Sequence, residues 1–186
     1  MRSKAPKLRS IDRGGPNGLR DYAMLLMVAR LGLRASDIKS IRMSDIDWDA
    51  RTMTVVQHKT GVPLSLPLLD DVGWAVIDYL RSGRPRGADC PELFVRHVAP
   101  FDPFGDTSNL TNMLSRRARE AGVLRANDRK TLHSLRHALA KRLLDQRVPL
   151  DDISRILGHV NKRTTSIYLR MDVASLAKCP LDPEGV

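Results

Sequence analysis

His133-Ser134-Leu135-Arg136 sets an imidazole and a guanidinium three residues apart, in a segment where Leu132, Leu135, Leu139 and Leu143 recur at helical spacing. Positions three apart on a helix lie roughly 60° from each other, so His133 and Arg136 share one flank of the apolar stripe. Both are expected to project at the boundary between core and solvent. An isolated pair of this kind fits a basic surface helix as well as a phosphate site. Downstream, Gly158 is a natural helix stop, which puts His159 in a tight turn, and Tyr168 follows nine residues later in a helical pattern begun by Asn161. Upstream, Arg34 lies in the turn Gly32-Leu33-Arg34 just before a helix, and Lys59 sits at the tip of a hairpin. One by one, such residues serve equally well as caps, solvated charges or packing.

The charge balance favours phosphate. The chain has 186 residues with 31 Lys plus Arg against 21 Asp plus Glu, a formal net charge of +10. Residues 1–20 hold six basic residues and one acidic, residues 112–147 hold ten and three, and the rest of the chain sums to −2. Excess confined to two segments points to neutralisation of a polyanion more than to general solubility. A hydrophobic fraction of 42% with 28% charged residues is that of a folded domain, which excludes disorder as a global description. No run approaches the ~18 apolar residues of a membrane span, and the N-terminus lacks the apolar stretch of a signal peptide. Cys90 and Cys179 lie far apart in Pro-containing loops with no ligand at metal spacing, and read as incidental thiols.

The elements that must position these residues follow from periodicity. Leu19, Tyr22, Leu25, Leu26 and Ala29 predict a first helix stopped by Gly32, and a short second helix capped by Ser36 should bury Ile38 and Ile41. Thr52 to Gln57 and Val62 to Leu68 predict a β-hairpin, with Pro63 and Pro67 placing the second strand at an edge. Asp70 caps a helix through Leu80 that Gly83 ends. A Pro- and Gly-rich connection from Arg84 to Gly105 holds one short strand at Leu93 to Val95. Helices are expected at 107–121, 131–146, 151–157 and 161–171. The fold class is mainly α with a small antiparallel sheet, an α+β domain of one core.

In chain order the set reads Arg34, Lys59, His133-x-x-Arg136, His159, Tyr168. With GLRASDI, HKTG, HSLRH and LGH around these positions, the sequence resembles the tyrosine recombinases, the phage integrase family, over about residues 19–171. The resemblance implies their DNA breaking-and-rejoining catalytic fold, and a site-specific DNA recombinase that joins DNA to protein through Tyr168. Tyr is a suitable nucleophile, but with a phenol pKa near 10 only about one molecule in a thousand is ionised at neutral pH, so it needs a base or a strongly positive setting. Arg34 and Arg136 would supply that setting, since the guanidinium fork matches two phosphate oxygens. By the same resemblance His133 assists proton removal from Tyr168, Lys59 protonates the departing 5′ oxygen, and His159 donates a hydrogen bond to the phosphate. Asp37 braces Arg34. The product would be a 3′-phosphotyrosyl link and a free 5′ hydroxyl.

No metal, nucleotide cofactor or small-molecule substrate is implied; the partner is double-stranded DNA. Arg116, Arg117, Arg119, Arg129, Lys130, Lys141 and Arg142 surround the HxxR helix and are expected to meet the DNA backbone. Val62 and Ser65 stand where relatives often carry a further hairpin cation. Residues 1–18 read as a basic arm, 19–171 as the catalytic domain and 172–186 as a tail that could dock on a neighbour, with the family's N-terminal core-binding domain expected to be absent. Recombination would use a tetramer on DNA, in the cytoplasm at the nucleoid. Type IB topoisomerase-like relaxation and a DNA-binding remnant without cleavage are the competing activities.

Overall fold

In the computed structural model, residues 11–58, 61–122 and 132–157 are described. Helix α1 (Pro16–Leu26) opens on a proline, which has no N–H to leave unpaired in the first turn, and so begins three residues before Leu19. It runs directly into a π-helical turn, Met27–Leu31, which Gly32 closes with φ of 68°. Residues 23–29 are all buried, so this element is central and not merely amphipathic. Helix α2 (Ala35–Lys39) starts one residue before the expected cap. Arg34 is the extended flanking residue, and Asp37 rather than Ser36 satisfies the helix end by accepting the Arg34 backbone N–H at 3.4 Å.

The sheet has three antiparallel strands in the order β1 (Ile46–Asp47), β2 (Thr52–Val56), β3 (Pro63–Pro67). Thr52 pairs with Pro67 and Val56 with Pro63, and β3 is an edge, as its prolines require. Met53, Val55 and Leu66 point into the core. Strand β1, two residues long, is too short to leave a periodic signal in sequence. Helix α3 (Asp70–Asp78) has Leu69 as its flanking residue and places Asp70 and Asp71 in the first turn, where carboxylates complement the helix dipole. It continues as a π-helical turn to Gly83 and packs along α1. In the connection that follows, Leu93, Phe94 and Val95 are fully buried but form no strand; two isolated bridges, Arg42 to Glu92 and Val95 to Pro103, hold them. Cys90 is a free thiol.

Helix α4 (Leu110–Glu120) is capped by Asn109, whose side chain accepts the Asn112 N–H at 3.0 Å. Helices α5 (Leu132–Asp145) and α6 (Leu150–Ile156) follow, with Leu139, Ala140, Ile153 and Leu157 forming a small cluster between them. Asp21, 1% exposed, joins α1 to α4: one oxygen takes Arg20 at 2.8 and 2.9 Å and the other takes Arg117 Nε at 2.9 Å. Of the arm expected at 1–18, residues 16–18 belong to α1 and residues 1–10 lie outside the described residues, as do the helix expected at 161–171 and the tail at 172–186.

Candidate active site

Arg34 sits where the first-helix turn meets α2, half-buried, with Nη1 3.7 Å from the Asp37 carboxylate. Asp37 is 1% exposed and is the hub of this corner. Its Oδ2 faces Arg34, while Oδ1 accepts the backbone N–H of His58 at 3.1 Å and lies 3.4 Å from the Ser36 hydroxyl. His58 is the residue before Lys59, which lies outside the described residues. On the far side Gly61 donates to the Gln57 carbonyl at 2.8 Å, and Gln57 donates to that of Val62 at 3.1 Å. Both flanks of Lys59 are therefore held, one of them by the carboxylate that also braces Arg34.

Arg136 departs from its expected place at the solvent boundary: it is buried, and its guanidinium donates from Nη1 to the Gly32 carbonyl and from Nη2 to the Leu157 carbonyl. The physical reason lies in the neighbours. The turn at Gly32 presses onto α5 so closely that a Cβ there would stand 2.7 Å from Leu157 Cδ2 and 3.1 Å from Leu139 Cδ2. Glycine is required at that position by both φ and space. Both carbonyls stand at helix ends, and a cation between them satisfies both. Arg136 thus links the turn that carries Arg34, its own helix, and the residue before Gly158-His159. His133 is exposed on the same helix, one turn earlier. His137, one turn further on, is held below the usual imidazole range, by burial first and then by His133 and Arg136. His159 and Tyr168 lie outside the described residues.

A cleft of about 490 Å³ opens beside α2 and the hairpin base, lined in part by Ser36, Lys39, Arg42, His58 and Phe104. Lys39 and Arg42 escaped the sequence reading because neither belongs to a charge run; only α2 brings them beside His58. The expected backbone-contacting residues divide into two groups. Arg117 is spent on Asp21 and on Glu120 at 3.4 Å, and Asp21 raises its pKa further, while Arg142 donates to the Ala29 carbonyl at 3.3 Å. These two fasten α4 and α5 to the first helix. Arg116 and Lys141 are exposed, with long pairs to Glu120 at 3.7 Å and Asp145 at 3.9 Å, and Arg119 is half-buried. Arg129 and Lys130 are outside the described residues. Among the described residues no three metal-ligating side chains cluster, and no helix is long and apolar enough to cross a membrane.

Similarity to known proteins extends over most of the chain. Residues 2–174 match the model of the phage integrase family. A putative integrase/recombinase of Sinorhizobium fredii, y4gC, is 41% identical over 170 residues, covering 91% of this chain and 86% of that protein. Tyrosine recombinase XerC of Chromohalobacter salexigens is 33% identical over 165 residues, covering 88% of this chain but only 52% of its own. In structure, the chain superposes on the XerH site-specific recombinase, solved bound to a palindromic difH substrate in a post-cleavage complex. The TM-score is 0.72 at 19% identity, over 91% of this chain and 48% of XerH. The chain thus spans about half the length of the Xer recombinases it matches. The phage integrase model is matched along nearly the whole sequence, and the chain belongs to the phage integrase family.

Proposed function

We propose that this chain carries the strand-cleaving centre of a site-specific DNA recombinase, with Tyr168 as nucleophile. The observation that supports it most is the buried Arg136, whose guanidinium draws the Arg34 turn and Leu157, at the end of α6, together around one cation. Arg34 and Arg136 bind the non-bridging oxygens of the scissile phosphate and offset the charge that builds in the pentacoordinate transition state. The Tyr168 phenolic oxygen forms a bond to phosphorus as the bond to the 5′ oxygen breaks. The phenolic proton passes to His133, Lys59 delivers a proton to the departing oxygen, and His159 donates a hydrogen bond to the phosphate. A 3′-phosphotyrosyl ester and a 5′ hydroxyl result, and attack by a second strand's 5′ hydroxyl reverses the step.

Arg116, Arg119, Arg129, Lys130 and Lys141 track the DNA backbone, whereas Arg117 and Arg142 act through the fold. Four protomers assemble on two duplexes for exchange, at the nucleoid. The test uses a supercoiled plasmid carrying two copies of the sequence that flanks the gene. Recombinant products of defined length are expected. Relaxation alone would instead assign a topoisomerase-like activity, and binding without either product would assign a remnant that no longer cleaves.

A further inference from the structure

The chain has two tryptophans, and both stand exposed on elements that contribute nothing to the site: Trp48 in the turn between β1 and β2, 42% exposed, and Trp74 on α3, 63% exposed. They are neighbours. A Cβ at Gly73 would lie 4.0 Å from Trp48 Cζ3, so the Trp48 ring rests over α3 beside the residue that precedes Trp74. Exposed indoles are the residue type that most often anchors a protein interface.

The setting is anionic. Residues 43–50 and 70–78 together hold six aspartates and no Lys or Arg, in a chain of net charge +10. Arg51 pairs with Asp70, and Arg30 pairs with Asp71 at 2.7 Å. Asp49 and Asp78 are exposed and form no ion pair among the described residues. DNA is repelled from such a face. A segment bearing Lys or Arg is attracted twice, by the carboxylates and by the indole faces.

We propose that this face receives the basic N-terminal segment of a second copy of the chain. Residues 1–10, MRSKAPKLRS, carry Arg2, Lys4, Lys7 and Arg9 and no acidic residue, which complements the surface in charge. The proposal rests on the indole pair and its aspartates and is independent of the cleavage chemistry.

Because both tryptophans lie on this face, intrinsic emission of the full chain reports directly on its occupancy. Titration with a synthetic peptide of residues 1–10 is expected to give a saturable change, weakening as salt is raised and at least about tenfold weaker in an Asp49→Lys, Asp78→Lys double variant. Sedimentation equilibrium is expected to show a concentration-dependent dimer that this variant loses. A copy with Arg2, Lys4, Lys7 and Arg9 changed to Glu also loses it, and mixing the two variants restores a heterodimer. Both variants change only exposed or terminal charges, and thermal melts confirm folding. Unchanged emission, an equal response from the double variant, or peptide binding by a chain that stays monomeric at every concentration would each overturn the proposal.

Discussion

The carboxylate of Asp37 accepts the backbone N–H of His58 at 3.1 Å, although the two residues are 21 apart in sequence. With its other oxygen turned to Arg34, this buried group makes the α2 turn and the base of the hairpin one unit. Asp37→Ala is expected to lower stability by about 1–3 kcal/mol, because the His58 N–H and the half-buried Arg34 guanidinium lose this buried carboxylate. Cleavage should fall more steeply than DNA affinity. Urea denaturation and single-turnover cleavage beside a binding isotherm check the two parts separately.

Arg136→Lys keeps the charge but replaces a planar fork with one ammonium that cannot serve the Gly32 and Leu157 carbonyls in the same geometry. Single-turnover cleavage is expected to drop at least about a hundredfold, with a lower melting temperature. Arg136→Ala should be less stable still, by about 1–3 kcal/mol for the two buried bonds lost.

Gly32→Ala tests the close approach behind that bridge. At φ of 68°, with a Cβ only 2.7 Å from Leu157 Cδ2, alanine is strained by both backbone and packing. A loss of about 1–3 kcal/mol is expected from the backbone alone, read by denaturant midpoint at unchanged slope.

Asp21 and Arg116 should behave as opposites. Asp21→Ala leaves the buried Arg20 without its anion and the half-buried Arg117 with Glu120 alone, and is expected to cost about 3–5 kcal/mol. Arg116→Ala, at an exposed site with a 3.7 Å pair, should leave stability within about 0.5 kcal/mol. It should weaken DNA binding evenly across sequences, lowering the slope of log affinity against log salt by about 1.

His97 is pushed down to about 4, by burial first and then by the Arg20 charge, with Asp21 opposing. Its Nε2 is 3.4 Å from the buried Tyr79 hydroxyl. The unfolded chain takes up this proton near pH 6.5 and the folded chain only near 4, so folding stability should decline as pH falls from 6.5 to 4 and level off below. His97→Gln is expected to flatten that decline in urea melts taken across the range.

The parts legible in sequence are those written in local periodicity and in turn chemistry: the first helix and its stop at Gly32, and the paired strands with their edge prolines. Arg136 was placed at the solvent boundary because helical spacing gives only a direction on its own helix. What buries it is the Gly32 turn, 104 residues away. The same limit hid the partner of Arg117, since the charge of Asp21 reaches it only when α1 and α4 pack, and hid Lys39 and Arg42 beside His58. Strand β1 is two residues long and exists only because β2 pairs with it.

The central claim is that Tyr168 becomes esterified to DNA. A duplex carrying the flanking sequence, nicked so that the cleaved strand's 5′ product diffuses away, traps that ester. A covalent adduct that survives denaturant, maps to Tyr168 by mass spectrometry and vanishes in Tyr168→Phe is predicted. An adduct that persists in Tyr168→Phe, or none from a folded chain that binds the same duplex, would contradict it.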